Sequence, residues 1–269
     1  MDKILATPQI ILNNLDALYT FFLLVLRTTG LMIMMPGIGM GQQGLRIRSA
    51  AILVLAFASV QTGTYAEFPD SWFTLLGMMF SEFSLGMIIG TIPLMVIAGV
   101  QTAGQLTSTT MGLGAAQLVD PNLGVNVSTL SRVMGDLTIL LFLLSGGHYA
   151  LIYAVSGLGG DIVPGSFAIG NNSLQLLVEK SADIFTAGVM ISAPVIVALL
   201  LTQFVMGLIS KAVPTVNIFI VSFPLTIGIG LVLTTLSLPE LMVFASHQFS
   251  SIDDSILTVL GDVIPTASP

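Results

Sequence analysis

The chain reads as an all-α membrane protein, and three observations lead there. Hydrophobic residues make up 54% of the 269 and charged residues only 8%, against about 25% charged in soluble domains. Mean hydropathy is +0.99. The apolar residues lie in runs of about 20 or more, which suit spanning helices and not the alternating strands of an outer-membrane barrel.

Six apolar spans follow in order, at residues 15–35, 49–63, 72–100, 133–155, 184–209 and 218–245. The second is short for a crossing, and the third is long enough to tilt, bend or continue beyond the bilayer. Basic residues set the expected orientation, because cytoplasmic loops carry an excess of Lys and Arg. With six crossings, Arg46, Arg48, Arg132 and Lys211 fall on one side, and Lys3 and Lys180 on the other with most of the acids. The basic turns are therefore expected in the cytoplasm and both termini outside it. Asp2, Asn13, Asn14 and Asp16 interrupt the basic start that a cleavable signal peptide needs, so none is expected.

Within the spans, Gly86 and Gly90 have the small-xxx-small spacing that lets helix backbones approach closely. That spacing points to packing against another subunit. Pro93, Pro194 and Pro224 each remove a helix hydrogen bond and bend the axis. Glycine and proline are also ordinary constituents of membrane helices, so neither set specifies a function alone. Arg27 in FFLLVLRTTGLM, Glu82 in MMFSEFSLGM, and Asp136 just after Arg132 in SRVMGDLTILL are charges inside apolar runs. An unpaired charge at bilayer depth costs on the order of a few kcal/mol, so each needs a partner, water or the interface. They form a buried polar seam facing subunits or a conduit, or else long side chains reaching the interface. The second reading suits Arg132 and Asp136 best. Met32, Met34, Met35 and Met40 make either a deformable seal or core filling.

Residues 111–126 break the apolar pattern. Met111, Gly112, Leu113, Gly114, Ala115, Ala116, Gln117, Leu118, Val119, Asp120 and Pro121 are small, glycine-laced and apolar, and they end on a helix breaker. Non-helical backbone at membrane depth persists only inside protein or against a water-filled cavity. The segment is either a plug in a pore or a connecting loop at the membrane surface.

Other chemistry is missing from the sequence. There is no cysteine, so disulfides and thiolate metal sites are excluded. No HExxH, GxSxG or phosphate-cradling glycine loop occurs. His148 and His247 stand alone, Asp120 reads as a turn residue, and Asp253-Asp254 read as solvated. Seven basic residues cannot make a nucleic-acid footprint. No enzyme, metal or cofactor is expected.

Three stretches carry a family resemblance. TAGQLTSTTMGLGAAQLVDP (102–121) with SRVMGDLTILLFLLSGGHYALI (131–152), MGLISKAVPTVNIFIVSFPLTIGIGL (206–231), and LRTTGLMIMMPGIGMGQQGLRIR (26–48) resemble the FliR family of flagellar export gates and the related injectisome SctT proteins. The resemblance runs from residue 15 to the tail. It implies a gate component that joins FliP-like and FliQ-like subunits in a closed helical ring, with FlhB-like and FlhA-like export proteins nearby. Unfolded protein substrates would pass through that ring in the bacterial inner membrane, at the flagellar basal body.

It also implies a FliP-like portion over residues 1–180, fused to a FliQ-like helical hairpin over 181–269 that turns near 205–217. The helices would be kinked and would pack against sister subunits. The family's plug carries over onto Gly112–Pro121, with Met111 and Leu123 at its edges. A subunit contact carries over onto Pro214, Asn217 and Phe219. The family often has Pro-Gln there, whereas Thr215 follows Pro214 here.

The leading expectation is a non-enzymatic export-gate subunit, flagellar by the wording GLGAAQLVDP. The competing class is a small-solute transporter with a broken helix at 112–126. It predicts an inverted repeat and a polar binding cluster, and neither is evident.

Overall fold

The computed structural model describes residues 2–37, 41–61, 64–69, 71–113, 128–157, 162–213 and 218–262. They form α1 (Asp2–Met34), α2 (Gly41–Val60), α3 (Trp72–Met111), α4 (Thr129–Leu144), α5 (Gly147–Ser156), α6 (Asn171–Ala212), α7 (Ile218–Ser250) and α8 (Ile252–Leu260). The described residues contain no strand ladder, so the fold is all-α.

Among the described residues, the six expected spans reduce to four, or five at most. Segments 15–34 of α1, all of α3, all of α6, and 220–260 through α7 and α8 are long and apolar enough to cross. α4 and α5 together make a bent pair that counts as one further span. The break falls at Gly146, which takes φ 75° between them, a left-handed conformation that a side chain resists. α2 is not among the spans. Its N-terminal half carries Gln42, Gln43, Arg46 and Arg48, which leave only a short apolar remainder. The orientation drawn from six crossings loses that count. α3 and α6 run to 40 and 42 residues. At about 1.5 Å per residue each is roughly twice the thickness of the hydrocarbon core.

The chain divides into two compact units: Met1–Leu94 with Leu143–Glu179 and Ser250–Pro269, and Met95–Phe142 with Lys180–Phe249. Two of the divisions fall at local weak points, beside Pro93 and at the α7–α8 junction.

In the first unit α1 and α3 approach closely. A Cβ on Gly86 would lie 2.8 Å from the Leu31 nitrogen, and one on Gly90 would lie 2.8 Å from the Met34 Cβ. α1 reciprocates at Gly30, where a Cβ would sit 2.9 Å from the Met87 nitrogen. The small-residue spacing is thus filled by a helix of the same chain, not by a second subunit.

The close approach places Arg27 against Glu82. Both side chains are fully buried, and Arg27 Nε donates to Glu82 Oε2. Glu82 Oε1 accepts the Gly165 N–H at 2.6 Å. Arg27 Nη1 and Nη2 find no acceptor among the described residues. Nearby, the Ala66 N–H donates to the Thr20 hydroxyl at 2.9 Å. Tyr19, Leu23 and Ala66 pack with Leu75, Met78 and Met79.

The start of α6 is capped from the other end of the sequence. Asp262 Oδ2 accepts the Ser173 N–H at 2.7 Å and the Ser173 hydroxyl at 2.6 Å. Burial alone would raise the Asp262 pKa. The Ser173 hydroxyl and the N–H groups of Ser173, Asn172 and Gly170 outweigh it and hold the carboxyl below its usual value.

The second unit packs the C-terminal half of α3 against α4, α6 and α7. Val100, Ala103, Met134 and Leu241 form a core with Leu130, Ile191 and Met242 around it. Gly188 admits Thr102, whose Cβ would lie 3.0 Å from an added Cβ.

Two predictions follow from the first unit. Glu82→Ala leaves a buried guanidinium uncompensated and should cost about 3–5 kcal/mol, whereas Arg27→Met with Glu82→Gln, which keeps an acceptor for the Gly165 N–H, should lie much closer to wild type. Thermal unfolding of the purified complex tests this, and a double variant no better than the single one contradicts it. Because folding lowers the Asp262 pKa, its stabilisation is complete above the unfolded value near 4 and is lost as pH falls through the folded value. The stability gap between wild type and Asp262→Asn should therefore persist at neutral pH and close as pH falls below the usual carboxylate range. A gap independent of pH would contradict the cap.

Candidate functional site

The broken stretch begins where α3 ends. Gly112 takes φ 85°. Its N–H donates to the Thr109 carbonyl at 3.1 Å, and the Leu113 N–H donates to the Ser108 carbonyl at 3.1 Å. This is a Schellman closure, and it satisfies two of the four carbonyls that a helix leaves unpaired at its C-terminus.

The other two are taken up from far along the sequence. Gln203 Nε2 on α6 donates to the Thr110 carbonyl at 2.8 Å. The Thr226 hydroxyl on α7 donates to the Met111 carbonyl at 3.1 Å. The single Thr226 proton also has the Ser222 and Phe223 carbonyls at 3.0 and 3.2 Å, so Met111 shares it. Every one of the last four carbonyls of α3 therefore has a donor.

Packing fixes the same turn. Met111 is 1% exposed and sits with Val195 and Leu199, bordered by Leu130, Ile229 and Leu233. A Cβ on Gly230 would lie 2.8 Å from the Met111 sulfur, and one on Gly112 would lie 2.8 Å from Phe223 Cε1. The socket uses one face of each partner helix. Val195, Leu199 and Gln203 follow i, i+4, i+8 on α6, and Phe223, Thr226 and Gly230 follow i, i+3, i+7 on α7.

The chain returns to the same helix. Gln105 on α3 accepts the Ser128 N–H at 3.1 Å. Ser128 then caps α4 by accepting the Ser131 N–H at 3.1 Å, and the Ser131 hydroxyl donates to the Gln101 carbonyl at 2.7 Å. Gln105 and Met111 are about 9 Å apart along the helix axis. Departure and return of the intervening segment are thus anchored on a single stretch of α3.

The expected site residues are distributed as follows. Met111, Gly112 and Leu113 form the base just described. Gly114, Ala115, Ala116, Gln117, Leu118, Val119, Asp120 and Pro121 lie outside the described residues. So do Pro214 and Asn217, and so does the side chain of Phe219. Pro224 is exposed on α7 and borders a groove with Leu225, Gly228, Ile229, Val232 and Leu233. Arg27 and Glu82 are paired in the first unit, far in sequence from the loop base. Arg132 and Asp136, expected among the buried charges, are exposed on α4, one turn apart.

Sequence reasoning missed Gln105, Gln203, Phe223, Thr226 and Gly230. Gln203 carried a usable signal, since an amide within LLTQFVMG needs a partner by the same argument that singled out Arg27 and Glu82. The others looked ordinary. None of the hydrogen-bonding side chains at this base titrates, so its grip is independent of pH. Among the described residues, no three His, Asp or Glu side chains converge to hold a metal ion.

Gly112→Ala should destabilise the end of α3 by about 1–2 kcal/mol for the left-handed backbone alone. The collision with Phe223 adds to it. A second change, Phe223→Leu, should recover the collision and leave the backbone cost, as measured by thermal unfolding in a double-mutant cycle. Full recovery would contradict the backbone assignment.

The sequence profile described as bacterial export proteins, family 1, matches residues 18–252. The flagellar biosynthetic protein FliR of Escherichia coli (strain K12) is 28% identical over 250 residues, covering 93% of this chain and 94% of that protein. FliR of Bacillus subtilis (strain 168) is 26% identical, covering 89% and 94%. The Yop proteins translocation protein T of Yersinia pestis is 23% identical, covering 89% and 93%.

Proposed function

The chain belongs to the bacterial export proteins, family 1, the FliR/SctT family, and we propose that it is a non-enzymatic subunit of the type III export gate. In this reading it conducts unfolded flagellar substrates across the bacterial inner membrane. The loop at 112–121 plugs the conduit at rest. The supporting observation is the loop base. A segment of small, apolar residues leaves α3 at Gly112, and Ser128 beyond it bonds Gln105 on the same helix, so both of its flanks are held on α3. Small side chains can seal against ions and still pack aside when a substrate enters.

The unequal burial of the spans supports an assembly. Only 28% of the apolar window in α6 and 17% of that in α7–α8 are covered within the chain, against 50% in α1 and 56% in α3. Those two poorly covered helices form the FliQ-like hairpin of this reading, and residues 1–180 form the FliP-like portion. The exposed faces are assigned to FliP-like and FliQ-like neighbours, with FlhB-like and FlhA-like proteins completing the gate. The groove at Pro224 and the segment containing Pro214, Asn217 and Phe219 belong to that contact surface.

Removing residues 114–121 should raise ion conductance through the reconstituted gate while leaving co-purification with its small membrane partners intact. An assembled gate with unchanged conductance would count against the plug.

A further inference from the structure

We propose that the outer face of α2 binds an anionic phospholipid, with Arg46 holding the phosphate and the apolar stripe beside it taking an acyl chain. α2 packs against α1 and runs back along it. At one end the Arg48 guanidinium lies 3.4 and 3.5 Å from the Met35 and Ile33 carbonyls, at the close of the first span. Beyond the other end of α2, the Ala66 N–H reaches the Thr20 hydroxyl at 2.9 Å. The start of α2 therefore stands level with the end of that span, and the rest of α2 lies alongside the span.

The outer face matches a lipid in order and in length. Arg46, Ala50, Leu53 and Phe57 follow i, i+4, i+7, i+11, so they share one stripe, and all four are exposed. Its length is about 16 Å, close to half of the ~30 Å hydrocarbon core and so to the depth of one leaflet. α2 contains no acid, and among the described residues Arg46 has no carboxylate partner. A purely apolar neighbour would cover the stripe but bury a bare guanidinium, which is costly. A phospholipid answers both needs, because its phosphate accepts paired N–H bonds from the guanidinium while its chain lies along Leu53 and Phe57. The far end carries the residues suited to the opposite membrane surface. Tyr65 and Trp72, the single tryptophan, are exposed there beside Glu67, with no Lys or Arg between 61 and 72. The arginine end is then the cytoplasmic one, where anionic headgroups concentrate.

The chain has no cysteine, so Leu53→Cys gives one attachment point for a thiol-specific fluorophore on the stripe, with the wild-type complex as the labelling blank. The labelled complex is reconstituted in mixed vesicles of phosphatidylglycerol and phosphatidylcholine, with brominated chains on one lipid or the other. Per mole, brominated phosphatidylglycerol should quench about fivefold more strongly than brominated phosphatidylcholine, the enrichment that one arginine supports near an anionic headgroup. Arg46→Gln should abolish that preference while both lipids still quench. Arg46→Lys should keep much of it, and Arg132→Gln on α4 should leave it unchanged. No quenching by either lipid would show that a protein neighbour covers the stripe, and the proposal falls. Equal quenching by the two lipids, or a preference that survives Arg46→Gln, overturns the headgroup site. Should the Leu53→Cys form fail to assemble, Val54→Cys on the same exposed face gives the same readout.

Discussion

A break in a helix must be satisfied from inside the protein; that constraint organises this chain. In water, an unpaired N–H or C=O at a helix end finds solvent. In a chain with 8% charged residues and long apolar helices, it must find a side chain. The described residues answer with polar groups drawn from distant sequence. Thr20 accepts the Ala66 N–H, Glu82 the Gly165 N–H, Gln105 the Ser128 N–H and Asp262 the Ser173 N–H. Gln203 and Thr226 serve the carbonyls of Thr110 and Met111. Each pair ties two segments that the sequence separates, so local capping doubles as tertiary structure.

The two units use this device differently. In the first, the capping carboxylate of Glu82 also neutralises Arg27, and close contact between Gly30, Gly86 and Gly90 brings the two together. A buried ion pair adds little net stability by itself, because desolvation offsets the attraction. Its strength here is to fix the register of α1 on α3, since either charge alone would be intolerable. In the second unit the caps are neutral. They hold the two ends of the segment between α3 and α4.

How much of this was legible in the sequence follows the same division. The helical class and most spans were plain from hydropathy, because burial in lipid or in protein selects the same residues. The second span was misjudged, since an apolar window over 49–63 takes no account of Gln42, Gln43, Arg46 and Arg48 just before it. Arg27 and Glu82 stood out because a charge in an apolar run is costly. The close-packing role of Gly86 and Gly90 could be read, but not that their partner was α1 of the same chain. The start of the loop at Gly112 was visible from its glycine. Its anchors were not, because Gln105, Gln203 and Thr226 act over separations of 23, 93 and 115 residues. A threonine or glutamine in a membrane helix is usually satisfied by its own backbone, so its sequence context carries no mark of a remote partner.

Residue-resolved hydrogen exchange on the wild-type complex tests the central constraint most directly. The amides of Ala66, Ser128, Gly165 and Ser173 lie outside helices or in the first turn of one, where no intrahelical acceptor exists. If remote side chains hold these breaks, the four amides exchange as slowly as the helical amides beside them. Exchange at the rate of an open loop would show that the breaks are held by solvent, and the account would fail.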